Sequence, residues 1–222
     1  MRIMFTIITV SLIALVGCVT MPNPVPDMYL MEKSAEEENS MEKLSMDIIA
    51  KNHEIQEIRS KINGIKHTLE VENGRLLILQ EEKNLLLKKQ KQYVLENDQT
   101  NIDNNKKMTV DKDNEIISQT DRVEYTSALL EDTIAQDEVI ETELAVFVAE
   151  LNYKKANIAK AYLLKQQSAI GEDSKKKKEV AETYVVKYQQ HMDKQREILA
   201  DKKNELEKTT VKLKMAEEKN KK

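Results

Sequence analysis

The chain has 222 residues, of which 33% are charged and 4% are aromatic, and its formal net charge is −4. It has 3 prolines and 4 glycines, the residues on which tight turns and active-site loops usually depend. This composition argues against an ordinary globular enzyme and is typical of a long helix, a coiled coil or a disordered chain. Apolar periodicity decides between these classes.

The first 17 residues have the order of a secretory signal peptide. Arg2 is followed by an apolar stretch from Ile3 to Val16 and then by the small residue Gly17. The apolar stretch is shorter than the roughly 20 residues that a stable membrane-spanning helix needs. The sequence therefore predicts a signal peptide over residues 1–17, and residues 15–18 resemble the end of a signal of the lipoprotein type. A plain secretory signal and a short N-terminal membrane span are the alternatives.

The quartet Leu15-Val16-Gly17-Cys18 at the end of this segment resembles the lipobox of bacterial lipoproteins. The resemblance implies that Cys18 is lipidated, becomes the first residue of the mature chain and carries palmitate-type acyl chains that anchor it to a membrane. A single exported cysteine cannot form an intramolecular disulfide, which agrees with this use. In lipoproteins of many diderm bacteria, a residue such as Val19 after the cysteine, rather than Asp, implies transport to the outer membrane.

Residues 18–33 are predicted to form a spacer between the lipidated cysteine and the folded part. All prolines lie between positions 22 and 26, where their alternation favours an extended polyproline II conformation. Ser34 and Glu37 then have the spacing of a capping box, so a helix is expected to begin near residue 34.

The first predicted helix, residues 34–96, carries a heptad pattern. Counting every seventh residue from Met41 and from Leu44 gives two rows that are mostly apolar. A seam of this length predicts a coiled coil and excludes disorder for this segment. The dipeptides Asn63-Gly64 and Asn73-Gly74 are turn signals, but the register continues through both, which predicts an unbroken helix.

A stretch rich in Asn and Asp, residues 96–107, is the clearest predicted break, and a second helix is predicted over residues 107–168. Its seven-residue row that contains Ile116 is mostly apolar, but the companion row is polar at several positions. Because such a row packs poorly, apolar seam is expected to remain exposed and to favour self-association. The polar members of the companion row are Gln119, Thr126, Thr133 and Lys154.

A third helix is predicted over residues 174–219, after a break at Gly171, and its row from Val185 is wholly apolar. Residues 34–222 therefore form one predicted helical coiled-coil domain. The fold class is all-α, an elongated antiparallel three-helix bundle with the first helix as its apolar spine. An extended parallel dimer or trimer is the alternative.

Charge is distributed unevenly along the predicted helices. Residues 121–150 are strongly acidic, and an antiparallel third helix would bring the basic C-terminal part of the chain beside them. Lysines would make the opposite end of the rod basic, a surface suited to an anionic envelope polymer or an acidic patch of a partner protein. A solvated face is the alternative. These lysines are Lys154, Lys155, Lys160, Lys165 and Lys175 to Lys178.

No motif for catalysis or cofactor binding is found in the sequence, which lacks a nucleophile elbow, a phosphate-binding glycine loop and the HExxH zinc motif. His53, His67 and His191 lack further ligands at zinc-site spacing, so each is predicted to be an exposed helix residue and no metal is expected. We therefore expect a protein that is not an enzyme and that binds no cofactor or small-molecule substrate. The negative net charge and the export signal also disfavour nucleic-acid binding.

The chain ends in Lys222, and a lipidated coiled coil with a C-terminal lysine is similar to the murein lipoprotein. The similarity covers the lipobox, the heptads and the last residue, and it implies attachment of the Lys222 side chain to the cell wall. This mature chain is much longer than that lipoprotein, and chance explains a terminal lysine in a lysine-rich chain.

These features together predict an envelope lipoprotein of the outer membrane whose mature domain lies in the periplasm as a structural spacer or assembly scaffold. A surface-exposed adhesin with the same anchor is one alternative, and a periplasmic client-holding chaperone is another. The expected partners are a membrane, through the lipid anchor, and a protein or a second copy of the chain, through the coiled coil.

Overall fold

The computed structural model describes residues 25–31, 33–167 and 173–221, so Cys18 and Lys222 lie outside the described part. A short 3-10 helix over Asp27–Leu30 is followed by α1 over Ala35–Leu95, α2 over Gln99–Gln167 and α3 over Asp173–Asn220. The predicted all-α fold with a three-helix bundle is confirmed.

The capping box predicted at the start of α1 is confirmed. The backbone N–H of Glu37 donates to the hydroxyl of Ser34 at 3.2 Å, and the Glu37 carboxylate accepts from the backbone N–H of Ser34 at 2.7 Å. The hydrogen bonds that the Glu37 carboxylate accepts from the backbone N–H and from the hydroxyl of Ser34 hold the pKa of Glu37 below its usual value. The helix then runs without interruption through Gly64 and Gly74, as the continuous register predicted.

The packed face of α1 is the predicted heptad seam. Every buried residue of the helix belongs to one of the two rows counted from Met41 and Leu44. Because these rows form a single narrow stripe, α1 packs against one neighbour and leaves its remaining surface to solvent. The buried residues are Met41, Leu44, Ile55, Ile58, Ile62, Ile65 and Leu79.

The prediction that the second helix begins near residue 107 is wrong, because α2 begins at Gln99. Asn97 adopts a left-handed backbone with φ of 54°, and the Asp98 carboxylate accepts from the backbone N–H of Asn101 at 3.1 Å. Asn105 is only 3% exposed and donates from its side-chain amide to the Leu86 carbonyl oxygen at 2.8 Å. The polar stretch is therefore helical because one of its asparagines takes part in the seam with α1.

The central helix of the bundle is α2, which corrects the prediction that the first helix would be the spine. Both α1 and α3 pack against α2, whereas within the described ranges they do not pack against each other. The row that contains Ile116 faces α1, and a row of small residues lies on the opposite side of α2, toward α3. This second row consists of Ala128, Ala135, Thr142, Ala149 and Ala156.

Both outer helices run antiparallel to α2. Ile55 and Ile58 of α1 pack against Ile140, and Ala156 near the end of α2 packs against Val185 and Tyr188 near the start of α3. The three axes therefore form an elongated layer in the order α1, α2, α3. At 1.5 Å per residue, the 69 residues of α2 extend about 100 Å.

The two ends of the layer differ. Near its C-terminus, α3 reaches Glu124, which accepts an ion pair from Lys219 at 2.9 Å. Residues 71–95 of α1 and 99–123 of α2 pair with each other, and within the described ranges α3 reaches only their base, where Asn220 lines a shallow pocket with Glu72 and Arg122. We call these two segments the distal hairpin. We call the opposite end, where α1 begins, α2 ends and α3 begins, the basal end.

The small-residue row can be tested by overpacking it. Ala149 is 0% exposed, so the Ala149→Leu variant must push α3 away from α2 or force strained rotamers, and it should lose about 1–3 kcal/mol of unfolding free energy. Chemical denaturation followed by circular dichroism measures this loss. Ala200→Leu, at an exposed position of α3, is the control and should change stability by less than about 0.5 kcal/mol. Equal effects of the two variants would contradict the second seam.

Candidate interaction surface

Polar residues of α2 contribute to the seam with α1 and fix its register. Gln119, 3% exposed, donates from its amide to the Glu72 carbonyl oxygen at 3.0 Å, and the Thr126 hydroxyl donates to the Glu72 carboxylate at 2.6 Å. A shift in register would leave these buried groups without partners, which is costly. The companion row that was expected to pack poorly therefore specifies the pairing of the two helices.

A buried carboxylate sets the register between α2 and α3. Asp132 is 3% exposed, and one of its oxygens accepts hydrogen bonds from the hydroxyls of Thr209 at 3.0 Å and Thr210 at 2.7 Å. The side-chain amide of Gln136 donates to the other oxygen at 2.8 Å. Neutral donors thus solvate the carboxylate inside the interface, and they tie the C-terminal part of α3 to one position along α2.

The acidic stretch 121–150 faces basic side chains of α3, as the uneven charge distribution predicted. Among the described side chains, five ion pairs join the two helices at N–O distances between 2.6 and 3.4 Å. Because most of these side chains are partly solvated, their main effect is to favour the antiparallel arrangement. The pairs are Arg196–Glu150, Lys202–Glu138, Lys203–Glu143, Lys212–Glu131 and Lys219–Glu124.

Glu143 connects all three helices. From α2, its carboxylate binds Lys51 of α1 at 2.8 Å and Lys203 of α3 at 3.1 Å. Partial burial alone would raise the pKa of Glu143, but the hydrogen bonds to the two lysines outweigh it and lower the pKa. The pKa of Lys51 is raised, because its hydrogen bonds to Glu143 and Glu54 outweigh the effect of its partial burial.

The N-terminal segment from residue 25 docks on the basal end. The ring of Tyr29 lies 6.0 Å from that of Tyr162, and Val25 packs against the cluster formed by Ala156, Val185 and Tyr188. This part of the predicted spacer 18–33 is therefore folded against α2 rather than extended away from the rod, and the remainder, residues 18–24, lies outside the described part.

The predicted basic lysines lie toward the basal end, but they differ in their surroundings. Lys154 is partly buried and donates to the hydroxyl of Ser40. Lys155 and Lys160 are half-buried on α2, and Lys165 is exposed. Lys175 to Lys178 belong to the first turns of α3, and their side chains lie outside the described part.

Large apolar side chains are exposed on both faces of the distal hairpin. From the seam positions of α1, the helical period places Val71, Ile78 and Leu85 on one face, and these side chains are between 56% and 59% exposed. We call this the Ile78 face. The opposite face, which we call the Ile117 face, is formed by Leu77, Leu87 and Val94 of α1 with Val110 and Ile117 of α2. Leu95, at the tip of the hairpin, is 84% exposed.

Ion pairs across the hairpin support this assignment of the two faces. Lys112 binds Glu82 at 2.9 Å at positions adjoining the Ile78 face, whereas Lys83 binds Asp113 at 2.5 Å at positions adjoining the Ile117 face. Monomeric soluble proteins rarely expose apolar residues in such concentration, so the distal hairpin is the candidate interaction surface. The sequence predicted exposed apolar residues in the seam of the second helix, whereas Val71, Ile78 and Leu85 lie on α1 outside its two heptad rows. Their sevenfold spacing was nevertheless a visible signal.

The three histidines do not share one environment. His53 and His67 are exposed, as predicted, but the prediction is wrong for His191, which is 8% exposed between Tyr188 and Met192 on the packed side of α3. Burial lowers the pKa of His191, and the charge of Lys194 lowers it further. Its Nδ1 atom is buried and has no hydrogen-bond partner among the described residues.

Within the described ranges, no three His, Cys, Asp or Glu side chains come together in a way that could hold a metal ion. None of the described helices has the length and apolar character needed to cross a membrane. No protein-family model, no curated protein and no solved structure matches the chain. Its function must therefore be inferred from its own surfaces and from its sequence signals.

The three-helix contact at Glu143 predicts a loss of stability on neutralisation. Glu143→Gln should lower the unfolding free energy by about 1–2 kcal/mol at neutral pH, because charge-assisted hydrogen bonds to two lysines are weakened. A carboxyl group with a lowered folded-state pKa stabilises the fold above its ordinary pKa and loses this effect as the pH falls through the folded value. The difference between the variant and the wild type should therefore shrink below the ordinary value of 4.5.

Denaturation curves at neutral and acidic pH measure this effect. The control is Glu57→Gln, at an exposed position of α1, which should change the free energy by less than about 0.5 kcal/mol. A difference between Glu143→Gln and the wild type that persists unchanged into acid would contradict the assigned role.

Buried His191 predicts a second pH dependence. Here burial disfavours the charged form of the side chain, whereas the hydrogen bonds of Glu143 favour its charged form. Because its folded-state pKa is lowered, the unfolded chain binds protons more readily, and stability should fall as the pH is lowered through the ordinary histidine value of 6.5. In His191→Leu this decrease should be smaller, since Leu fills the site without titrating. Thermal unfolding at a series of pH values tests this expectation, and identical pH profiles for variant and wild type would refute it.

Proposed function

We propose that this chain is a non-enzymatic envelope lipoprotein, a lipid-tethered rod in the periplasm that presents its distal hairpin to a protein assembly far from the membrane. The observation that carries the proposal is the docking of residues 25–30 on the basal end, together with the lipobox that precedes them. The end of the rod next to the candidate lipid anchor is thereby the end opposite the distal hairpin.

Chain length supports this geometry. Only seven residue steps separate Cys18 from Val25, and a fully extended segment of that length spans at most about 25 Å. A lipid on Cys18 would therefore hold the basal end close to the bilayer. Since α2 extends about 100 Å, the distal hairpin can be held far from the membrane surface.

Charge at the basal end agrees with this orientation. Lys155, Lys160 and Lys165 lie on the last turns of α2, near the docked segment. Basic side chains close to a membrane are attracted to anionic lipid headgroups, whereas the acidic stretch of α2 lies farther along the rod, where it is paired with α3. The exposed apolar side chains of the distal hairpin support a protein partner rather than a small molecule.

The same geometry is compatible with a second location. In it the lipid is in the outer leaflet of the outer membrane, and the rod faces outward as an adhesin. The two locations differ in protease accessibility. If the rod is periplasmic, protease added to intact cells should leave it uncut and should digest it only after the outer membrane is permeabilised. Digestion on intact cells would contradict the periplasmic location and favour the adhesin.

The lipid anchor makes a separate prediction. Cys18→Ser should abolish acylation, so that the chain is released from membranes or accumulates as uncut precursor, since an apolar acyl chain contributes about 0.8 kcal/mol of membrane binding per buried methylene. Membrane fractionation and labelling with a palmitate analogue measure this. The matched control is Ser60→Cys, which adds a thiol at an exposed position of α1 outside the lipobox and should acquire no label. A Cys18→Ser chain that is still processed and bound to membranes would contradict the proposal.

A further inference from the structure

We propose that the Ile78 face binds the same face of a second copy of this chain, with the two distal hairpins antiparallel about a twofold axis near Ile78. The two hairpins would then form a four-helix bundle. This inference rests on the surface of the described residues alone and does not depend on the lipid anchor or on the location of the rod.

The apolar side chains of this face have the spacing of a helix-packing seam. Val71, Ile78 and Leu85 follow one another at seven-residue intervals, are 59%, 58% and 56% exposed, and lie outside the seam that α1 forms with α2. An antiparallel twofold axis at Ile78 brings Val71 of each copy beside Leu85 of the other and places the two Ile78 side chains together. The row is therefore complementary to itself when reversed.

Two glycines leave room for another backbone to approach this side of α1 closely. A Cβ added at Gly64 or Gly74 would meet nothing within 4 Å, so the packing of the chain itself does not require glycine at either position. Gly74 lies on the helix surface between Val71 and Ile78, and Gly64 continues their sevenfold row. Glycine is unfavourable inside a helix, but it permits close approach of a neighbouring helix, which a second copy would supply.

Charges beside the row favour the antiparallel direction. Arg75 and Glu81 lie three residues to either side of Ile78, and neither forms an ion pair within the described part of the chain. An antiparallel pair centred on Ile78 brings Arg75 of one copy opposite Glu81 of the other, twice. A parallel pair would instead place Arg75 against Arg75 and Glu81 against Glu81.

The neighbouring side of α2 repeats this charge pattern. The ion pairs Lys112–Glu82 and Arg122–Glu72 align α2 with α1. In this alignment Asp111 lies beyond Ile78 toward the tip of the hairpin, and Arg122 lies on the other side of Ile78, toward the basal end. The same twofold axis therefore brings Asp111 of one copy toward Arg122 of the other. Two independent helices thus give the same direction of pairing.

The test is the mass of the full chain, purified in mild detergent, by light scattering during size-exclusion chromatography. The wild type should have twice the protein mass of one 25.6 kDa chain, less any part removed with the signal peptide. Ile78→Arg should weaken association at least about tenfold and give a monomer at the same concentration. Gly74→Leu should also give a monomer, although it adds apolar surface, because it blocks the approach of the second helix.

The matched control is Ile117→Arg. Ile117 is 60% exposed and lies on the opposite face of the hairpin, so this variant makes the same chemical change and should remain dimeric. Circular dichroism of each variant establishes that the helical fold is retained, so loss of the dimer cannot be attributed to unfolding.

Charge reversal tests the direction of pairing. Arg75→Glu and Glu81→Arg should each weaken the dimer, and the double variant should restore it, since the two residues face each other between copies. A monomeric wild type up to its solubility limit would overturn the proposal. Dissociation by Ile117→Arg with Ile78→Arg still dimeric would also overturn it, and so would a double charge reversal that fails to restore the dimer. A monomer that binds a different helical protein through this face would assign the surface to that partner instead.

Discussion

The helix α2 packs against a different helix on each of two opposite faces, and the rest of the architecture depends on this constraint. One face carries larger apolar side chains and pairs with the heptad seam of α1, while the other carries small residues that let α3 approach closely. Since the outer helices do not pack on each other in the described ranges, the bundle is a layer and not a closed triangle. A layer has a high ratio of surface to core, which agrees with the many partly buried polar and charged contacts between its helices.

Polar groups inside the two seams fix the register of the helix pairs, which apolar contacts alone do not fix. A heptad seam can slide by seven residues with little change in its apolar contacts, and a long antiparallel pair therefore needs additional specification. Gln119 and Thr126 supply it on the α1 side, and Asp132 with the Thr209 and Thr210 hydroxyls supplies it on the α3 side. Each of these contacts loses its partner if the register changes, so the chain has one alignment in place of several.

The sequence was most informative where one pattern dominates. The two apolar rows of α1 and its capping box predicted the start and the packed face of the helix correctly, because its seam has a single neighbour. Prediction failed for α2, where packing against two helices and local sequence preferences act on the same residues. The alanines of α2 are too small to signal a seam, and local turn preference in the Asn-rich stretch was overridden by tertiary contacts of Asn105. His191 was misjudged because one polar residue next to Tyr188 gives no local sign that the position faces α2.

The candidate interaction surface was likewise only partly predictable from the sequence. The sequence predicted exposed apolar residues in the seam of the second helix, but the exposed row lies on α1 outside its seam. Which part of the rod has no third helix beside it depends on where α3 ends relative to α2, which is a property of the antiparallel alignment and not of any local motif. Cys18 and Lys222 remain predictions, since both lie outside the described residues.

The position at which α3 ends has a practical consequence. Because α3 begins at the basal end and has 48 residues, it ends about 70 Å along the layer, at the point where the distal hairpin emerges. A fluorescent protein or affinity tag inserted directly after α3 would thus sit about two thirds of the way along α2 from the basal end and leave the tip unobstructed. It would mark a fixed height above the basal end, against which the distance of the hairpin from other labelled components can be measured.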